Sequence, residues 1–174
     1  MADYFTQTVL RQTIPARLIS PLERLLLGQI FESEDHDGNI YYYASEAPAD
    51  CFTLDRADLQ DALKYTRVRS RMRPFLTACL AETKPDCADI DIDLTAIPQR
   101  DPAHVVILQD IVRRSKGELP SVSIAQAYTC GKMRPDGFGG AGIIITPRRV
   151  LYQCTYGFFN RFDLLHPPKP APSP

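Results

Sequence analysis

The sequence predicts an α+β fold: a mainly antiparallel sheet with a C-terminal β-hairpin, packed against several amphipathic helices. Three observations carry the prediction. Two stretches of helical apolar periodicity open on strong start signals, Ser20-Pro21 with Glu23 behind it, and Asp101-Pro102. Asp89 to Leu94 alternates acidic and aliphatic residues at period two, the pattern of a half-buried strand. Two further strand-like runs, 121–130 and 141–146, flank a glycine-rich loop and read as a hairpin with a long tip. Strand and helix signals do not alternate regularly, which sets aside a doubly wound parallel sheet.

From Phe5 to Leu18 the chain is rich in Thr, Val, Ile and Gln and predicts an extended entry. Ser20 and Glu23 then form a capping box with Pro21 at the first helical position, and Leu22, Leu25, Leu26 and Ile30 bury one face of a helix ending near Phe31. Glu32 to Asn39 reads as an acidic turn before an aromatic strand, Ile40 to Tyr43. Ser33, Asp35, Asp37, Gly38 and Ile40 have the spacing of a calcium loop. Ser33 and Ala44, however, replace two of its strong oxygen ligands, so the segment reads as a solvated turn.

A loop over 47–53 leads to a second helix over 55–65 with Leu59 and Leu63 inward. Pro74 fits only the first turn of a helix, which predicts a third one from about Ser70 to Thr83 burying Phe75, Leu76, Cys79 and Leu80. In the strand at 86–95, Asp89, Asp91 and Asp93 form a solvated outer face whose like charges oppose edge pairing. The helix capped by Asp101 and running to Ser115 is apolar around most of its circumference, and so lies deep. Arg113, Arg114 and Lys116 oppose the negative end of its macrodipole, and Gly117 stops it. Thr155 with Phe158, Phe159, Phe162 and Leu165 predicts a last short helix.

At 174 residues the chain suits one domain, expected over 1–165, followed by a disordered proline-rich tail at 166–174. A composition 44% hydrophobic and 24% charged supports a core without help from metals or disulfides, and no cofactor is expected. Five cysteines without CxxC spacing argue against a disulfide framework and a zinc site alike. A net charge of −1 gives no global attraction to nucleic acid or membrane, so an anionic partner must meet a local patch. The first residues lack the basic segment and apolar core of a secretory signal, and no later run approaches a membrane span. A cytoplasmic place with no membrane partner is expected.

Function is expected in the hairpin loop. Residues 127–146 hold five of the nine glycines beside Cys130, Lys132, Arg134 and Asp136. Gly137, Gly139 and Gly140 would let the backbone approach a partner closely. In the leading reading Arg134-Pro135-Asp136-Gly137 is a type I turn, Phe138 packs the loop back on the domain, and the rigid tip presents Lys132 and Arg134 to another molecule. The alternatives are a nucleotide loop, for which Gly137, Gly139 and Gly142 lack the strand before and helix after, and a nucleophile at Cys130. Lys132 and Arg134 could stabilise its thiolate, with His104 as the helix-borne candidate base. The second candidate surface is the basic run Lys64, Arg67, Arg69, Arg71 and Arg73, which reads first as a solvated linker balanced by the nearby acidic segments; alternatively its arginines could each meet a phosphate of a nucleic acid, or the run could contact an acidic protein.

The run Thr129 to Gly140 with Ile143 to Thr146, the stretch Ser20 to Leu26, and Ile107 to Ser115 together resemble a family of small uncharacterised proteobacterial proteins, often carried on plasmids and integrative elements. The resemblance spans most of the chain up to about Thr155, and the proline tail departs from it. It implies a bacterial cytoplasmic setting and an accessory role on mobile DNA, and it carries over no site residue. The expected function is that of a non-enzymatic interaction or accessory protein with a protein partner. Nucleotide binding or cysteine-dependent catalysis by the same loop is the alternative.

Overall fold

The computed structural model describes residues 3–134 and 137–165. Pro135, Asp136 and the proline-rich 166–174 lie outside the described residues, and with them the expectations placed on Asp136 and on the tail. In chain order the elements are β1 (Tyr4–Leu10), β2 (Ile14–Pro15), α1 (Pro21–Ile30), β3 (Glu32–His36), β4 (Asn39–Ala44), β5 (Cys51–Asp55), α2 (Arg56–Tyr65), α3 (Arg73–Glu82), β6 (Asp89–Asp93), α4 (Ala103–Arg114), β7 (Val122–Cys130), β8 (Gly139–Ile145), β9 (Val150–Cys154) and α5 (Thr155–Leu165).

The main sheet has the order β2-β4-β1-β7-β8-β9, with β3 also paired to β4, and every pairing is antiparallel. β5 and β6 pair antiparallel as a separate two-stranded sheet, on which α2 and α3 pack. The α+β class with a mainly antiparallel sheet and a C-terminal hairpin is therefore the observed one. The hairpin register runs from Val122 opposite Ile145 to Tyr128 opposite Gly139.

Helix α1 starts as its sequence dictates. The Ser20 backbone N–H donates to Glu23 Oε2 at 2.8 Å, and the Ser20 hydroxyl accepts from the Glu23 N–H, closing the capping box. Its buried face is Leu22, Glu23, Leu26, Leu27 and Ile30, rotated slightly from the expected stripe, so that Leu25 is only half-buried. Helix α4 is buried at every position from Ala103 to Val112 and lies against β7 and β8. There it covers the aliphatic inner face of the sheet, Val122, Ile124, Ile143 and Ile145.

Four local expectations change. The acidic segment after α1 is a strand, β3, joined to β4 by a tight hairpin in which Asp37 (φ 47°) and Gly38 (φ 79°) both take left-handed backbone angles. Every β3 residue is exposed, so no apolar alternation advertises the strand, and its charges protect a free edge. The end of the 47–53 loop, from Cys51 on, belongs to the strand β5, and α3 begins at Arg73 rather than Ser70. Finally, α4 has Pro102 at its N-cap with no side-chain cap, because Asp101 is engaged elsewhere, accepting a hydrogen bond from Tyr152 Oη at 3.0 Å.

Candidate functional site

The hairpin loop divides into an anchored part and an exposed tip. Cys130 ends β7 opposite Tyr4 and is buried. Gly131 is tied to the N-terminal segment, its N–H donating to the Asp3 carbonyl at 2.8 Å. Gly137 tucks against Cys130, and a Cβ built on it would lie 2.6 Å from the Cys130 Cβ. Gly139 and Gly140 are as tightly held, with hypothetical Cβ positions 2.7 Å from Thr155 Oγ1 and 2.7 Å from the Gln126 carbonyl oxygen. These glycines make room for packing within the protein. The Gly137 N–H donates to the Arg134 carbonyl at 3.0 Å, the closure expected of a type I turn, whereas Phe138 stays 43% exposed instead of packing back. Lys132, Met133 and Arg134 project into solvent.

No Cys130–His104 pair forms. Both ring nitrogens of His104 lack a hydrogen-bond partner. Cys130 instead sits under Gly137, at the far end of β7 from the residues that α4 covers.

The basic run splits in two. Arg73 turns inward, its Nη2 donating to the carbonyls of Leu63 (2.7 Å) and Thr66, and so holds the turn between α2 and α3. Arg71 reaches across to α4: its Nε donates to Asp110 Oδ1 at 2.7 Å, its backbone N–H to Asp110 Oδ2 at 2.9 Å, and its Nη2 to the Val106 carbonyl at 2.8 Å and Gln109 Oε1 at 3.1 Å. Arg67 and Arg69 remain exposed, with no hydrogen bond or ion pair among the described residues.

Arg69 and Arg71 then meet two residues from the far end of α4. A cleft of about 460 Å³ is lined by Arg69, Arg71, Asp110, Arg113 and Arg114. Three of its four guanidinium groups are already oriented. Arg71 is fixed by Asp110, Arg113 by the Pro147 carbonyl (Nε to O 2.8 Å), and Arg114 by the buried carboxylate of Glu23 and the Leu18 carbonyl (2.9 Å). Asp110 and Glu23 offset two of the four charges, leaving two uncompensated. Arg69 keeps all its donors free, and Arg113 and Arg71 each keep some.

An intact guanidinium edge is suited to two-pronged hydrogen bonding of a carboxylate or phosphate. Arg69 and Arg113 keep one, whereas Arg71 and Arg114 spend theirs on Asp110, Gln109, Glu23 and backbone carbonyls. Asp110 accepts from Arg71 through both oxygens, so its chemistry here is to position Arg71. Arg113 and Arg114 satisfy the macrodipole argument made from sequence, and that sufficiency concealed their convergence with Arg69 and Arg71. The signal lies in contacts between positions about forty residues apart, which no local pattern carries.

Comparison of the chain with protein-family models, with curated proteins and with solved structures finds no match. Among the described residues no helix is long and apolar enough to cross a membrane. No group of three or more His, Cys, Asp or Glu among them could hold a metal ion.

Proposed function

We propose that this chain is a non-enzymatic interaction protein that receives an anionic group of a protein partner in the arginine cleft between α4 and the segment preceding α3. The observation that carries the reading is the convergence of Arg69, Arg71, Arg113 and Arg114 on one cleft, three of them fixed in place by the fold before any ligand arrives. Such pre-organisation lowers the ordering cost of binding. A nucleic acid would need a track of cations at phosphate spacing. Here the excess charge is local, the net charge is −1, and Arg73 is consumed inside the protein.

The exposed Lys132-Met133-Arg134 tip supports a second contact with the same partner. It lies at the opposite end of the β7–β8 hairpin from Thr146 and Pro147, which adjoin the cleft, roughly 30 Å away by strand rise. An accessory role on mobile DNA, implied by the resemblance noted above, is compatible with an adaptor of this kind.

The test is the pair of variants Arg69→Ala/Arg113→Ala and Lys132→Ala/Arg134→Ala. All four side chains are exposed or peripheral, so unfolding free energies are expected to stay within about 0.5 kcal/mol of the parent for each change. Binding of a phosphoserine peptide, measured by calorimetry at low and high salt, is expected to be salt-sensitive and to disappear in the first variant. Tighter binding of a single-stranded oligonucleotide through the same arginines would replace the protein partner with nucleic acid. Absence of any anion binding at low salt would remove the reading.

A further inference from the structure

The inner face of the main sheet changes character beyond the N-terminal end of α4. Under the helix it is aliphatic, with Val122 and Ile124 opposite Ile145 and Ile143, all buried. Followed at period two, the same face continues as Gln126 and Tyr128 on β7, with Tyr152 and Cys154 on β9. Between this floor, the start of α4 and the helix α5 lies a cleft of about 380 Å³ whose lining includes Pro102, His104, Tyr128, Ile143, Tyr152 and Arg161.

His104 marks the boundary. It is only 5% exposed, its ring meets Phe31 edge to face at 5.5 Å between centroids, and neither Nδ1 nor Nε2 has a hydrogen-bond partner. Buried polar groups are ordinarily satisfied, so an imidazole with both nitrogens idle at the wall of a cleft is a feature to be explained. Burial lowers the His104 pKa to about 4, so at neutral pH the ring is uncharged and offers one donor and one acceptor. The uncapped first turn of α4 stands at the same place. Arg161 lines the cleft from α5, exposed and with no hydrogen bond or ion pair among the described residues.

We propose that this cleft binds a small organic acid with an apolar, ring-sized body. Both His104 nitrogens are closed off from solvent, so a turn of the ring brings one of them to the cleft, where the ligand's hydroxyl or carbonyl group exchanges a hydrogen bond with it. The carboxylate meets Arg161, and the body lies against Pro102, Ile143 and the rings of Tyr128 and Tyr152. A neutral imidazole is satisfied by a hydroxyl, which can both give and accept. An exposed arginine supplies the two-pronged partner of a carboxylate. The site is separate from the arginine cleft, since it lies at the N-terminal end of α4 and Asp110, Arg113 and Arg114 lie at the C-terminal end.

The probe is 4-hydroxybenzoate, with benzoate lacking the hydroxyl and 4-hydroxybenzyl alcohol lacking the carboxylate. Titration of the full chain, followed by the imidazole nitrogen resonances of His104, is expected to give a saturable shift with 4-hydroxybenzoate. Each control compound should bind about tenfold more weakly, the scale of one lost hydrogen bond. Arg161→Gln should weaken 4-hydroxybenzoate to the level of the alcohol and leave the alcohol unchanged. His104→Phe, read by fluorescence, should abolish the preference for the hydroxyl; if that variant does not fold, the Arg161→Gln and benzoate arms decide alone. Arg69→Ala/Arg113→Ala should bind 4-hydroxybenzoate as the parent does, which separates a failure here from a failure of the arginine cleft. Resonances of His104 that no probe moves, or binding indifferent to both the hydroxyl and Arg161, would overturn the proposal.

Discussion

Arg114 and Glu23, 91 positions apart, meet as a two-pronged ion pair, Nη2 to Oε2 at 2.6 Å and Nη1 to Oε1 at 3.1 Å, with the Glu23 side chain fully buried. The same Oε2 accepts from the Ser20 hydroxyl at 2.7 Å and from the Ser20 backbone N–H, so one carboxylate joins the cap of α1 to the last turn of α4. Removing only the cation strands a buried charge. Arg114→Met is expected to cost about 3–5 kcal/mol in urea unfolding, while the double variant Glu23→Gln/Arg114→Met should recover a large part of that loss. Equal losses in the two variants would mean that packing of the arginine stem, not the charge, is what matters.

The depressed pKa of His104 makes stability depend on pH in a defined window. Between the unfolded value of 6.5 and the folded value of about 4, the unfolded chain binds a proton that the folded chain does not. Stability from this residue is therefore full above pH 6.5, falls as pH drops toward 4, and levels off below it. The total is on the order of 3 kcal/mol. The difference between parent and His104→Phe unfolding curves, measured from pH 7.5 to 3.5, should show that slope.

Cys130 is shielded by a glycine. With a Cβ only 2.6 Å from the Cys130 Cβ, Gly137→Ala must displace the loop or the end of β7, at a cost of about 1–3 kcal/mol. In the parent, iodoacetamide is expected to label the exposed Cys87 well before Cys130. Mass spectrometry of Gly137→Ala should show Cys130 labelled about tenfold faster or more, through local opening.

Leu108 lies at the centre of α4 with no exposed surface. Leu108→Ala should lower the unfolding free energy by about 2–5 kcal/mol. A melt shifted by far less would show that the sheet and α1 close over the gap.

The sequence alone determined whatever depends on neighbours a few residues away. The capping box of Ser20 and Glu23 is complete within one helical turn, the alternation of Ile90 and Ile92 with aspartates is internal to β6, and the aliphatic girdle of α4 requires that the helix be deep. Tertiary structure decided the rest. β3 was unreadable because a strand exposed along its whole length has no apolar period, and only pairing with β4 makes it a strand. The cations at 71, 113 and 114 were visible as charges, but a charge acquires its meaning from what lies within a few ångströms. The fold brings Asp110 to Arg71, Glu23 to Arg114 and Pro147 to Arg113, leaving Arg69 free beside them. Periodicity likewise placed His104 on a buried helix. Whether its nitrogens would find partners depended on which residues of β7 and β9 the sheet register set opposite it, and those contacts are between segments far apart in the chain.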